Sequence, residues 1–282
     1  MRAGASFIGL GANGRGEYNP GKKGRFAMSI VERAPKRWEG NVVLARAKSG
    51  PDPRPRLWIC DEFHRMGDFG VFGTAHLMLI DGVLLEQNHG DPNWSDPRPY
   101  RFTAIQYERL HDLGLLEGQR VMLIDGIVYQ DLPMKPPHAT AIRKSTKTLE
   151  AVFPTGFDVR VQLPLIVVGY SDPHPDFAVV LGSFLDFAAQ HPMSAVLIVE
   201  VSDSSLLFDQ TQKASLYAAG AIVDYWIVDL VNRRLEVRRD PRPDATQHHG
   251  FGYADVKVFA PGEAVAPLAM PTASVAVNDL LP

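Results

Sequence analysis

Three consecutive segments limit what this chain can fold into: DFAVV from Asp176, then SAVLIVEVS around Glu200, then FDQTQKASLYAAGA from Phe208. The first two are short β-branched apolar runs bounded by Pro, Ser and Asp, the pattern of strands buried on both faces. Each carries one carboxylate. A carboxylate in a sheet interior is costly unless it is paired, protonated or bound to a cation, so two on neighbouring strands point to a shared metal. The third segment is helical and ends at Gly220 in the C-cap position. In it Asp209, Lys213 and Tyr217 recur at i, i+4 and i+8, on one helix face. A helix packed back on the strands brings that lysine to the carboxylates. Without a metal, the same residues form a buried Glu–Lys–Asp ion-pair network.

Residues 57–132 repeat themselves. LWICDEFHRMGDFGVFGTAHLMLIDGVLL lies without gaps on RFTAIQYERLHDLGLLEGQRVMLIDGIVYQ, placing Leu79-Ile80-Asp81-Gly82 on Leu123-Ile124-Asp125-Gly126. Two copies are too few for a solenoid, so a duplicated supersecondary unit is expected. Each copy reads as a short helix, a glycine turn, and a hairpin turning at Asp-Gly, where both central positions need φ > 0. Turn chemistry accounts for Asp81 and Asp125 without a ligand role.

With 282 residues, 45% of them hydrophobic, the chain can bury a substantial core. Its formal charge of −3 gives no global basic field, so nucleic-acid contact requires a local patch. The lone Cys60 excludes an internal disulfide and a cysteine-rich zinc site, and a reducing compartment is the natural setting. No apolar run approaches the ~18 residues of a membrane span, and no apolar leader follows a charged start. A cytoplasmic protein without membrane contact is expected.

Residues 1–56 are rich in Gly, Pro, Arg and Lys, without apolar periodicity, and read as a flexible tail. Gly9, Gly11 and Gly14 form a GxGxxG, but no strand precedes it and no βαβ unit follows, so a dinucleotide site is not expected. The Asn93-Trp94-Ser95 sequon goes unused in the cytoplasm. A helix over 138–152 has an apolar side and a basic one, Arg143, Lys144 and Lys147, read as a solvated face or a phosphate contact. His138 opens this helix as a cap residue or a group near the substrate. Strands are expected over 157–163, 176–181, 195–201 and 225–230, with 235–238 as a hairpin partner. Beyond Asp240 a polar loop precedes a strand over 254–259, and its His248 and His249 read as a solvated pair, with a metal site as the alternative.

Residues 102–238 resemble the Uma family of restriction endonucleases, a branch of the PD-(D/E)xK nuclease superfamily. LIDGIVY, the PPH step, HPDFAVV, LIVEVSDSS, FDQTQKASLYAAGA and VDYWIVD follow the family's pattern in order. The resemblance implies an α/β fold with a restriction-endonuclease-like central mixed sheet flanked by helices, a divalent cation (Mg²⁺ or Mn²⁺), and DNA as substrate. Position by position, Asp176 matches the acidic residue of the PD half-motif and Glu200 that of the ExK half. Position 202, lysine in the parent superfamily, is serine, and Lys213 stands where the family carries its lysine. Asp176, Glu200 and the Val201 carbonyl would hold the metal, while Asp209, Tyr217, His138 and the basic residues surround it. The family's Glu before LIDG is Met122 here, with Met78 at the equivalent place in the first copy, and the DGE turn reads Asp125-Gly126-Ile127.

The expected organisation is a tail (1–56), an accessory helix–hairpin copy (57–100), a nuclease-like domain (101–240) and a C-terminal loop, strand and tail (241–282). The expected function is metal-dependent DNA cleavage, with a homodimer left open as the assembly. The alternative is a nuclease-fold protein with weakened turnover, acting as a nucleic-acid-binding or interaction module. A hydrolase of small phosphate esters has little support, since a P-loop lysine motif and a His-rich metal cluster are both missing.

Overall fold

The computed structural model describes residues 53–87, 97–130, 133–167 and 171–282, all within the compact unit Val42–Pro282. The glycine motif at 9–14, most of the expected tail and the Asn93 sequon lie outside the described residues.

The first part contains two helix–hairpin arrangements. Strand β1 (Arg54–Pro55) leads into helix α1 (Cys60–Asp68) and the hairpin β2 (His76–Ile80) and β3 (Val83–Gln87). Strand β4 (Arg98–Pro99) leads into α2 (Ala104–Asp112) and the hairpin β5 (Val121–Ile124) and β6 (Ile127–Gln130). Thr103 starts α2 with a reciprocal cap: its hydroxyl accepts from the Gln106 N–H at 3.2 Å, and the Gln106 side chain accepts from the Thr103 N–H at 2.9 Å. Both hairpins turn on left-handed pairs, Asp81 (φ 49°) with Gly82 (φ 81°) and Asp125 (φ 52°) with Gly126 (φ 72°), as a two-residue Asp-Gly turn requires.

The segment before each helix pairs with the hairpin that follows the other. β1 lies on β6 and β4 on β3. The Arg56 N–H donates to Val128 O at 2.7 Å, and the Tyr100 N–H to Leu84 O at 2.8 Å. The Arg65 guanidinium donates to Leu113 O, and that of Arg109 to Phe69 O. Between them lies one apolar cluster, in which Met66, Tyr107, Leu110 and Leu116 are buried and the Trp58 and Phe102 rings meet at 5.5 Å.

The second part is a six-stranded mixed sheet in the order β12-β11-β10-β9-β8-β7. Its strands are β7 (Phe157–Val161), β8 (Phe177–Leu181), β9 (Leu197–Ser202), β10 (Asp224–Asp229), β11 (Arg234–Pro243) and β12 (Phe251–Phe259). Only β9 and β10 pair in parallel. Because side chains alternate along a strand, Phe177, Val179, Leu197, Val199 and Trp226 pack against helix α3 (Pro136–Val152) and the C-terminal residues Val277, Leu280 and Leu281. Ala178, Val180, Ile198 and Ile227 pack on the other face against Ala214 and Tyr217. Two further short strands, β13 (Ala264–Val265) and β14 (Val275–Ala276), pair with each other.

Two expected boundaries are corrected. The strand expected over 157–163 stops at Val161, because Gln162 turns into the left-handed region at φ 52°. The polar loop expected beyond Asp240 is shortened to residues 244–250, since Pro241, Arg242 and Pro243 pair with Tyr253, Gly252 and Phe251. β10 ends opposite Arg239, so β11 has a neighbour on one side only beyond that point, and a proline lacking its N–H is tolerated at such an edge. Among the described residues no helix is long and apolar enough to cross a membrane.

Gly126 separates two reasons for a turn glycine. A Cβ there would lie 2.6 Å from Arg101 Cβ and 2.9 Å from Phe102 O, whereas at Gly118 (φ 70°) a Cβ would meet nothing within 4 Å. Gly118→Ala should cost about 1 kcal/mol through φ alone, and Gly126→Ala clearly more. Urea unfolding midpoints of the two variants check this ordering.

Candidate active site

Asp176 immediately precedes β8, and Glu200 lies within β9. The register Phe177↔Val199 makes them near neighbours, and strand alternation turns both toward the sheet face that packs against the helical segment 206–219. That segment is built from α4 (Leu206–Phe208), a π-helical turn (Asp209–Lys213) and α5 (Ala214–Ala219). The regular helix expected there is therefore interrupted: the Ala214 N–H reaches back to Asp209 O, and the Tyr225 hydroxyl donates to the same carbonyl at 3.0 Å. Such one-turn bulges are frequent at functional sites.

The turn brings Asp209, Lys213 and Tyr217 to Glu200. Lys213 Nζ lies 2.9 Å from Glu200 Oε1 and 3.2 Å from Asp209 Oδ1. The Tyr217 hydroxyl donates to Glu200 Oε1 at 2.7 Å. Ser202 and Ser205 each donate a hydroxyl to Asp209 Oδ2 at 2.6 Å, so Asp209 keeps its other oxygen for the lysine. Ser202 thus supports the carboxylate that pairs with Lys213.

Asp176 is clamped separately. Its Oδ2 accepts from the Val201 N–H at 2.8 Å, and its Oδ1 accepts from Gln162 Nε2 at 3.0 Å, with His138 Nε2 at 3.5 Å. The Asp176 N–H donates to Glu200 Oε2 at 3.3 Å, linking the two carboxylates.

Burial raises the Asp176 pKa, but His138 and Lys213 outweigh it and hold the carboxyl below its ordinary value. Burial lowers His138, and Asp176 reverses the shift, so the imidazole retains its proton more readily than usual. Burial raises Glu200, Lys213 pulls it back, and Asp209 and Asp176 raise it again, to about 8. Burial works against the Lys213 charge, but Asp209 and Glu200 overcome it and hold its pKa well above that of an ordinary lysine. Three buried carboxylates therefore surround one ammonium and one imidazole.

Asp176, Glu200, Val201, Lys213 and His138 line one cavity with about 70 Å³ of room for water. Met122, His174, Arg120, Lys135, Asp203 and Pro53 are among the other residues of its wall. Two carboxylates and an adjacent backbone are hard oxygen donors suited to a cation such as Mg²⁺, which keeps several waters and needs only one or two protein carboxylates. No cage of three or more His, Cys, Asp or Glu side chains occurs among the described residues.

Other expected positions fall outside this cavity. Arg143 and Lys147 point outward, and Lys144 donates to Asn278 O at 2.7 Å and Leu281 O at 2.5 Å, tying the C-terminus to α3. His249 is not solvated as expected: it is half-buried, with Nδ1 3.4 Å from Asp125 Oδ1. Gln162, Arg120, His174, Ser205 and Tyr225 belong to the site or its support and receive no role from the sequence. His174 and Ser205 lie close in the chain to Asp176 and Asp209, whereas Gln162, Arg120 and Tyr225 reach the site through the register of distant segments. Burial lowers the His174 pKa to about 4, so this wall residue is neutral near pH 7.

The model of the family Uma2, described as "Putative restriction endonuclease", matches residues 105–278, more than half the chain. No curated protein matches it. Among solved structures, the crystal structure of a putative nuclease belonging to DUF820 from Anabaena variabilis is similar at 16% identity, covering 60% of this chain and 95% of that one, with a TM-score of 0.44.

Replacing Lys213 by Met leaves Glu200 and Asp209 facing each other without their cation. Breaking a buried pair from one side costs about 3–5 kcal/mol, so the urea midpoint measured in EDTA should fall accordingly. Adding Glu200→Gln in the same chain should recover part of the loss.

Proposed function

The chain belongs to the Uma2 family, described as putative restriction endonucleases, and from that premise we propose that it hydrolyses DNA phosphodiester bonds in the Asp176–Glu200–Lys213 cavity with a bound Mg²⁺ or Mn²⁺. The observation that carries this reading is the convergence of three residues from two strands and a helix, with Lys213 Nζ 2.9 Å from Glu200 in the cavity that Asp176 also lines.

In this reading Asp176 and Glu200 present carboxylate oxygens to the cation, and the Val201 carbonyl is a third donor. When bound, the cation lowers the pKa of a water and offsets negative charge on the phosphoryl oxygens. Lys213, held between Glu200 and Asp209, directs its remaining N–H toward the cavity, where it orients the water or stabilises charge developing in the transition state. Tyr217 fixes Glu200 through its hydroxyl. His138 keeps a proton beside Asp176, at the mouth of helix α3, within reach of a bound phosphate. We read the two helix–hairpin units as a duplicated module: the first is an accessory layer, and the second opens the catalytic part.

A second reading is supported by Met122. It lies buried in the cavity wall, where the family pattern that the sequence resembles has a glutamate, and a site lacking that carboxylate can bind nucleic acid while turning over slowly. The two readings differ in outcome. The nuclease should cut supercoiled or single-stranded DNA with Mg²⁺ or Mn²⁺, stop in EDTA, and lose activity in Glu200→Gln. Cleavage that persists in EDTA or in Glu200→Gln would refute it. Retention of DNA without cleavage, together with gain of cleavage in Met122→Glu, would favour the binding module.

As a group aimed at developing charge, Lys213 should act on turnover more than on binding. Lys213→Ala is expected to lower kcat by roughly 10²-fold or more, with metal affinity similar or slightly higher. Lys213→Arg should restore little, because a planar fork does not replace a compact ammonium between two carboxylates. Single-turnover cleavage and metal titration, run on variants whose folding has been verified, separate these effects.

A further inference from the structure

β7 ends because Gln162 leaves the extended region, and the left-handed conformation it adopts, φ 52°, is uncommon for a residue with a side chain. That turn places both of its donors on one residue. The Gln162 N–H donates to Asp176 O at 3.1 Å, and its Nε2 donates to Asp176 Oδ1 at 3.0 Å. The pairing of Val161 with Phe177 sets the two residues opposite each other at the end of the β7–β8 ladder. Gln162 does not line the cavity, so it acts from behind the carboxylate.

Asp176 has two other restraints, the Val201 N–H on Oδ2 and His138 beside Oδ1. With Oδ2 held by backbone and Oδ1 by the Gln162 amide, the carboxylate plane is fixed and its remaining lone pairs are left to the cavity. The chemistry of the donor matters. A neutral amide orients a carboxylate without placing a positive charge beside a cation, as lysine or arginine would. It also cannot compete as an anionic ligand, as glutamate would.

We infer that Gln162 is the positioning residue of this site: it fixes the Asp176 carboxylate in the orientation that receives a divalent cation, and the left-handed turn is the backbone conformation that places it there. This inference rests on the metal-dependent reading of the same cavity. Residues behind a metal ligand typically change affinity by 10- to 100-fold when removed. A structural residue at a strained turn behaves differently, since glycine there relieves the conformation and leaves the fold intact.

The test uses the full chain without DNA. Mn²⁺ affinity is measured by electron paramagnetic resonance titration, and urea unfolding is followed in EDTA, for the parent, Gln162→Gly and Gln162→Met. Gln162→Gly is expected to unfold at the same or a higher urea concentration while binding Mn²⁺ about 10-fold or more weakly. Gln162→Met, of similar length without a donor, should show the same loss of affinity; if it fails to fold, the glycine variant decides. Equal affinity in parent and variants would overturn the positioning role alone. A parent that binds no Mn²⁺ would overturn both this role and the metal-dependent nuclease reading.

Discussion

Lys213 is the charge on which the interior of the second part depends. Glu200, Asp209 and Asp176 are all buried, and a buried carboxylate without a partner costs several kcal/mol. One ammonium lies within 3.2 Å of two of them, and hydroxyls, an amide and backbone N–H groups hold the rest. The cavity wall sets Asp176, Glu200 and Asp203 against Lys213, Lys135 and Arg120, and with its pKa raised to about 8 Glu200 holds its proton at neutral pH. A sheet built for stability alone would carry apolar residues at these positions, as its neighbours Ile198 and Ala178 do. The convergence of carboxyl oxygens on one buried cavity is the physical reason for reading it as a cation site.

That charge arrangement requires a particular backbone. A regular helix holds residues four apart on one face, but here a π turn covers Asp209–Lys213, and the carbonyl it displaces is bound by Tyr225. The two tyrosines beside the site are packed edge to face, with Tyr217 and Tyr225 rings 5.0 Å apart. Tyr217 fixes Glu200 and Tyr225 fixes the turn, so one aromatic pair serves both sides of the ion pair. On the opposite sheet face, α3 is anchored by Lys144 to the C-terminal carbonyls and by Leu149 and Ile142 to the core. Its first turn carries His138 to Asp176. The C-terminal residues therefore bear on the site although they lie far from it in sequence.

The first part contributes through its paired units. Reciprocal pairing of β1 with β6 and β4 with β3 satisfies backbone groups that would otherwise form open sheet edges. It also delivers Pro53 to the wall of the cavity, beside Arg120 and Met122. The residue just before β1, a strand of only two residues, therefore reaches the site.

Sequence by itself determined the features that depend on local period and turn chemistry. Alternation and β-branching marked β8, β9 and β10. Asp-Gly marked both hairpin turns, and motif order singled out Asp176, Glu200 and Lys213, which the fold brings to one cavity. Tertiary structure decided what depends on register between distant segments: Gln162 behind Asp176, Tyr225 on the Asp209 carbonyl, Pro53 in the cavity wall, and His249 beside Asp125. It also decided the place of Lys144, whose ammonium binds carbonyls of the C-terminus while Arg143 and Lys147 stay exposed. The physical reason is the range of the interactions. Propensity and periodicity act within a few residues of the chain, whereas a hydrogen bond between Gln162 and Asp176, or between Lys144 and Leu281, exists only once the sheet has set which strands are neighbours.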